Sequence, residues 1–418
     1  MRCVAHAKRQ DRTILFAPDS FKGSLTSVQV ARALAEGWSR ARPADTILLC
    51  PLADGGEGTL EAIAAAGGWN WQTAAVHDPL GRPIPARWLL SDGGSRAVIE
   101  MAEASGLSRL SLAERDPIAS TSAGTGDLLR AALDAGATSI VLAIGGSATT
   151  DGGAGLLRAL GAKADRDAPR ADLADLDPRL ASVDLAVACD VSNPLLGATG
   201  AAAVYGPQKG ATPANVAELD RRLARYADAL ETTGGRRVRD LPGAGAAGGV
   251  GFGLLAIADR FRSFALRPGI DLVMDATDFT ARLASADLVI TGEGRIDAQT
   301  AFGKTALGVA RRAAEAGVPC VAVGGGVEPE GIEALAAVGA IAIPVAERPQ
   351  SVEVAMAAGP DPLTRCGERL ARLMSIWPAR SRVPGDDRIL IHPDFDDPLP
   401  EFDPDYFHPE DPLRPPDK

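Results

Sequence analysis

VLAIGGSATTDGGAG, residues 141–155, sets the reading of the whole chain. Apolar and β-branched residues run up to Ile144, and a loop holding five glycines follows at once. Glycine loses more conformational freedom on folding than any other residue, so a loop this rich in it has something to hold. After a strand, glycines let backbone N–H groups converge on an anion, and nearby hydroxyls add donors. Gly145, Gly146, Ser147, Thr149 and Thr150 therefore read as a cradle for phosphate or substrate, with Asp151 placed to face a metal ion or a sugar-like hydroxyl. The plainer reading is a tight strand-to-helix connection capped by Asp151, but that needs only about one or two glycines.

The same grammar recurs on both sides. Residues 13–17 form an apolar run, PDSFKGS a loop, and 27–40 carry helical spacing with Thr26 as a cap. A second run, 46–52, ends in ADGGEGT. Adjacent parallel strands lie about 5 Å apart, so these two loops meet and bring Asp19 and Lys22 beside Asp54 and Glu57. Two carboxylates beside a lysine suit Mg²⁺ and phosphate held together. Near the other end, 287–291 leads into GEGRIDAQTAFGKT, an expected strand-to-helix loop carrying Glu293, Arg295, Asp297 and Lys304. Turn formation and helix capping are the alternative use of Glu293 and Asp297. A phosphate-loop match, GxxxxGK[ST], fails there because Ala298 stands where the first glycine is required.

The middle of the chain adds its own strand-end groups. CDVSNPLLG places Asp190 and Asn193 after the apolar run 185–188, and GPQKGA sets Lys209 between Gly206 and Gly210. GAGAAG at 243–248 has the letters of GxGxxG, but RRVRDLP precedes it where a buried strand is needed, so it reads as a turn before a helix over 250–262. Neither end of the chain makes a sheet of ordinary width alone. The two ends, 1–76 and 280–375, are expected to pair into one parallel sheet, with 77–279 inserted as a second α/β domain. Ligands of open α/β sheets sit beyond the carboxyl ends of the strands, which makes the cleft between the domains the expected site. From 376 to 418 the chain is dense in proline and acid and reads as an extended tail.

The totals narrow the chemistry. A net charge of −11 over 418 residues supplies no basic surplus for nucleic acid or an anionic membrane. No apolar stretch approaches the ~18 residues of a membrane span. The five scattered cysteines read as reduced thiols of a cytoplasmic protein. With only four histidines, carboxylates are the acid–base candidates. Of six lysines, three touch a glycine: Lys22, Lys209 and Lys304. A phosphate-binding lysine favours such a neighbour, because the loop beside it must approach the ligand closely.

Cations on glycine loops, carboxylates at strand ends and an acid to align a hydroxyl are the parts of phosphoryl transfer. The residues alone point to an ATP-dependent kinase or a phosphate-ligand binder. APDSFKGSLTS, PLADGGEGT, IGGSATTDGGAG, CDVSNPLLG, GPQKGA, GAAGGVGFG and TGEGRIDAQTAFGKT, in this order, resemble the signature segments of the bacterial glycerate kinase family. That resemblance runs from about residue 14 to 373. It implies transfer of the ATP γ-phosphate to D-glycerate with Mg²⁺, giving 2-phosphoglycerate. It also implies a Rossmann- or flavodoxin-like domain from both chain ends plus the inserted domain. On this reading Lys22 and Lys209 contact phosphate or the glycerate carboxylate. Asp190 and Asp297 are rival groups for orienting the hydroxyl, and Asp54, Glu57 and Glu293 are candidates for Mg²⁺. A kinase for another short hydroxy acid, or a phosphosugar-binding regulator, are the competing functions.

Overall fold

In the computed structural model, which describes residues 11–163, 171–298, 300 and 305–376, TILF forms β1 (Thr13–Phe16). A capping box opens α1 (Ser27–Ala41): the Thr26 hydroxyl accepts from the Gln29 amide, and the Gln29 side chain accepts from the Thr26 amide. β2 (Thr46–Leu49) and α2 (Thr59–Ala66) follow. The middle runs β3 (Trp69–His77), β4 (Pro83–Ser91), β5 (Arg96–Glu100), α3 (Ala102–Ser105), α4 (Ala123–Asp134), β6 (Ser139–Ala143) and α5 (Ala154–Ala159). It continues with β7 (Asp184–Ala188), α6 (Ala201–Tyr205), α7 (Pro213–Gly234), α8 (Ala246–Ala256) and β8 (Ser263–Arg267). The last third runs α9 (Gly269–Ala276), α10 (Phe279–Ala284), β9 (Leu288–Ile296), α11 (Thr305–Ala316) and β10 (Cys320–Val327). α12 (Pro329–Ala336), β11 (Ile341–Pro344), α13 (Val352–Ala357) and α14 (Asp361–Ile376) complete it. The tail from 377 onward lies outside the described residues.

Both chain ends contribute to one sheet. β1 pairs in parallel with β2 and β9, and β10 pairs in parallel with β9 and β11, giving the order β11-β10-β9-β1-β2. Renumbered within that sheet, the order is the flavodoxin-like 2-1-3-4-5, whose switch point lies between β1 and β9. The second sheet has six strands in the order β3 to β8; β5 to β8 are parallel, and β3 and β4 are antiparallel. It begins at Trp69, ahead of residue 77, because WNWQTAAVH pairs along its whole length with β4.

Strand alternation sorts the core into layers. Ile14 and Phe16 of β1 face α1 and α14, whereas Leu15 packs with α2, α9 and α11. Leu89 and Val98 of the second sheet join that same middle layer, and its other face, with Ile99, Leu142 and Val187, packs on α4, α5, α7 and α8. The middle helices are therefore shared by both sheets.

Two segments differ from their sequence reading. β9 runs on through GEGRI to Ile296, pairing Glu293 with Gly324 and Arg295 with Gly326, so Glu293 and Arg295 sit on a strand instead of in a loop. The glycines of GEG and GGG resemble loop punctuation, yet they let the two strands approach: a Cβ at Gly325 would lie 2.6 Å from the Gly294 carbonyl oxygen. α8 is regular only from Val250 and ends at Ala256, short of residue 262, after a left-handed turn at Ala247, Gly248 and Gly249.

The seam between the sheets is made of backbone. Where β2 ends, a Cβ on Gly55 would meet the Ala188 Cβ at 2.7 Å. A Cβ on Gly145 would meet the Gly56 Cα at 2.6 Å, and one on Gly269 the Asp54 carbonyl oxygen at 2.0 Å. Glu100, at the end of β5, reaches across the seam and accepts from the Gly58 amide (3.3 Å) and the Leu60 amide (3.2 Å) of α2. No side chain caps this helix from Gly58 itself. Burial pushes the Glu100 carboxyl up to about 8, and the charges of Glu61 and Glu103 add to the rise against the pull of the two amides.

Two stability outcomes follow from this packing. α1 and α14 cross so closely that a Cβ on Gly37 would stand 1.7 Å from the Thr364 carbonyl oxygen. Gly37→Ala should lower the unfolding free energy in urea by about 1–3 kcal/mol or more, and wild-type stability would show that the helices do not touch there. Because native Glu100 holds its proton more tightly than the unfolded chain does, its contribution is full below its ordinary value of 4.5 and is lost as pH rises to about 8. Glu100→Gln should remove that fall, and an unchanged slope of stability against pH from about 5 to 8 would refute the assignment.

Candidate active site

A cleft of about 870 Å³ opens where the carboxyl ends of β1, β2, β6 and β7 converge. It gathers most of the groups singled out in the sequence. Asp19, Lys22, Asp54 and Glu57 line it from the first sheet, and Gly145, Gly146, Ser147, Asp190 and Lys209 line it from the second. This is the carboxyl-terminal edge of the parallel strands of both sheets, where α/β folds hold their ligands.

The first wall mixes an exposed cation with buried acid. Asp19, 7% exposed, accepts from the Ser20 amide at 2.5 Å and the Thr305 hydroxyl at 2.6 Å. Burial, and next the charge of Asp54, push its carboxyl up to about 6. Lys22 is largely exposed, with Nζ 3.6 Å from the Asp54 carboxylate. Asp54 also accepts from the Gly56 amide at 3.2 Å, which closes the turn that presents Glu57.

The second wall is more rigid. Lys209 ends a short 3₁₀ turn, Pro207–Lys209, and is only 2% exposed. Its ammonium donates to the Ser147 hydroxyl at 2.9 Å and the Thr149 carbonyl at 2.6 Å. Burial pulls its pKa down to about 7 against the charge of Asp151. Asp190 accepts from the Gly269 amide at 2.9 Å through one oxygen. Part of its side chain reaches the cleft, yet the surrounding protein raises its pKa, opposed by that amide and assisted by Asp54 and Asp271.

Several sequence-read residues lie elsewhere. Asp151 does not face a ligand: it is 2% exposed and accepts from the Ser122 amide (2.8 Å) and hydroxyl (2.9 Å) and from the Gly153 and Gly155 amides (both 3.1 Å). The oxyanion served by those glycines is the chain's own. The Thr149 and Thr150 hydroxyls point into the protein, where neither has a hydrogen-bond partner among the described residues. Asn193 is tied to the Thr199 carbonyl and the Tyr205 hydroxyl, at 2.8 and 2.7 Å. Glu293 accepts from Thr300 at 2.7 Å, Arg295 pairs with Glu328 and Asp297, and none of Glu293, Arg295 and Asp297 lines the cleft. β9 continues past residue 291, which carries these three past the crest. Lys304 lies outside the described residues.

Sequence reading left out Ser20, Tyr205, Gln208 and Ala247, which also line the cleft, and Glu100 behind it. Ser20 and Gln208 adjoin singled-out residues and were within reach of the motif. Ala247 had no side-chain signal, since its place follows from a left-handed φ of 52°. Among the described residues, no three His, Cys, Asp or Glu side chains cluster to hold a metal ion. The cleft offers Asp54 and Glu57 instead, the one-or-two-carboxylate arrangement that Mg²⁺ uses together with substrate phosphates.

Comparison with known proteins agrees with this picture. The glycerate kinase family profile matches residues 14–375. A glycerate kinase of Halalkalibacterium halodurans is 44% identical over 380 residues, covering 87% of this chain and 98% of that protein. The glycerate 2-kinase of Escherichia coli K12 is 44% identical, over 75% of this chain and 84% of its own length. A crystal structure provisionally assigned as glycerate kinase 2, from Salmonella typhimurium LT2, superposes with a TM-score of 0.77 at 41% identity, covering 88% of this chain and 99% of the other. A chain with these motifs, this cleft and these relatives belongs to the glycerate kinase family.

Proposed function

We propose that the protein transfers the γ-phosphate of ATP to D-glycerate in this cleft, giving 2-phosphoglycerate. The observation that carries the reading is the confrontation of two walls. Lys22, Asp19 and Asp54 stand on one, and Lys209, Ser147 and Asp190 on the other, around a space large enough for a triphosphate and a three-carbon acid. Each sheet then frames one domain, with the middle helices packed between them, and the substrates meet at the seam.

Lys22 pairs with the phosphates; its exposed, flexible stem lets it follow the transferred group. Asp190, held by Gly269 through one oxygen, keeps the other for the acceptor hydroxyl. It aligns that hydroxyl and takes its proton as the new P–O bond forms and the bond to ADP breaks. Asp54 and Glu57 would hold Mg²⁺ through water, and the ion would neutralise phosphate charge. A kinase with free Cys50, Cys189, Cys320 and Cys366 suits the cytoplasm, where MgATP is supplied and thiols stay reduced.

The test is ADP release by the full chain with D-glycerate and MgATP, with ³¹P NMR to locate the ester at carbon 2. Asp190→Asn should lower kcat by about 10²–10⁴-fold in a folded protein. Lys22→Ala should lower kcat and raise KM for ATP. Near-wild-type turnover in both variants would end the assignment.

A further inference from the structure

We propose that Lys209 and Ser147 form a carboxylate-reading subsite, so that the enzyme accepts short hydroxy-carboxylates and refuses the matching polyols and aldehydes. The inference rests on the kinase reading above and assigns the acid group of the acceptor to one place on the second wall.

Lys209 carries a charge that no carboxylate among the described residues compensates. Lys209 is buried, lines the cleft and is bonded to two neutral oxygens, those of Ser147 and Thr149. An ammonium has three protons, so one remains. No carboxylate lies within ion-pair distance of it among the described residues. Asp151, the acid whose field it feels, has its carboxylate bonded to Ser122, Gly153 and Gly155. Burying an unpaired charge is costly, and an anion arriving from the cleft relieves that cost.

The donor set has the shape of a carboxylate. The Ser147 oxygen accepts from Lys209, which leaves its own proton to donate. One ammonium proton and one hydroxyl proton match the two oxygens of a monoanionic carboxylate. A terminal phosphate carries more charge and calls for several cations. The subsite is also stiff: Gly210, with a φ of 96°, packs against the Arg115 backbone, and Arg115 donates to the Gln208 carbonyl at 3.3 Å. Asp190 stands on the same wall, so acid and hydroxyl of one small molecule can be read together. A desolvated charge left unpaired by a neutral analogue discriminates strongly against it.

Steady-state kinetics of Lys209→Met separates the two substrates. KM for D-glycerate should rise by roughly 10²–10³-fold while KM for ATP stays within about threefold. Wild-type kcat/KM for glycerol and glyceraldehyde should fall about 10⁴-fold below that for glycerate. A rise in KM for ATP instead would place Lys209 on the nucleotide phosphates, and no change in either would remove it from binding; each result overturns the proposal.

Calorimetry of D-glycerate binding to the wild-type protein covers the case of a variant that fails to fold. The lowered Lys209 pKa, about 7, should rise when the anion binds, so binding at pH 8 should take up a proton, read from buffers of different ionisation enthalpy. The charged groups to account for are Asp151 and Arg115 near Lys209, Asp190 on the same wall and Asp19 opposite. Repeating the titration with Asp190→Asn and with Asp19→Asn removes those two groups in turn. No proton uptake anywhere from about pH 7 to 11, the span over which a lysine with a lowered or ordinary pKa titrates, refutes the subsite. Failure of the wild type to phosphorylate glycerate, with binding and uptake intact, would refute the kinase reading alone.

Discussion

The site depends on a place where no side chain fits. Gly55 lies against Ala188, Gly145 against Gly56, and Gly269 against the Asp54 carbonyl, so the strand ends of the two sheets meet backbone to backbone. The Gly145 amide even donates to the Gly55 carbonyl, at 3.3 Å. One methyl group at any of these positions would push the walls apart at the base of the cleft. The separation of the two walls at the base of the cleft is set by this contact. Close packing transmits such a change, because interiors have little free space to absorb it.

The same glycine loops have a second task, and it is internal. The turn before α5 gives two amides to Asp151, and the turn before α2 gives two to Glu100. The first loop is pinned by its own Asp151 and the second by Glu100 from β5, and each loses those amides for ligand binding. Positive charge at the cleft therefore comes from side chains. The acids around it act on one another too: Asp54 raises the pKa of both Asp19 and Asp190. A site with this much close negative charge suits a reaction that brings cations along with its substrate.

Much of this architecture was legible in the sequence. Apolar runs at 13–17 and 287–291, each followed by polar loops, announced that the chain ends share a sheet, and helix α1 begins at the cap that Thr26 signalled. Strand-end acids and glycine-flanked lysines located the cleft, and Asp19, Lys22, Asp54, Asp190 and Lys209 all line it. What failed was the direction of individual side chains. Asp151 has the same letter whether it turns to a ligand or back to Ser122, and that choice depends on a contact with α4 far away in sequence. Glu293 and Arg295 failed for another reason: a glycine reads as a break, and only the partner strand β10 shows that GEGRI is paired. Glu100 carried no local signal, since its role exists only once α2 sits on β5.

The two lysines of the cleft divide along the line that their surroundings draw. Lys22 keeps its hydration and its freedom, so its charge costs little to maintain and can follow a phosphate through transfer. Lys209 has given up both: its stem is enclosed, its head is fixed by Ser147 and Thr149, and its charge is held at a penalty that burial imposes. A flexible cation serves a group that moves, whereas a fixed one serves a group that must stay still while another part of the same molecule reacts. On the proposed reading glycerate needs the second kind, because its hydroxyl would meet Asp190 only if its far end is held. The costly charge thus sits on the enclosed wall and the inexpensive one on the open wall, above a backbone seam that fixes one wall relative to the other.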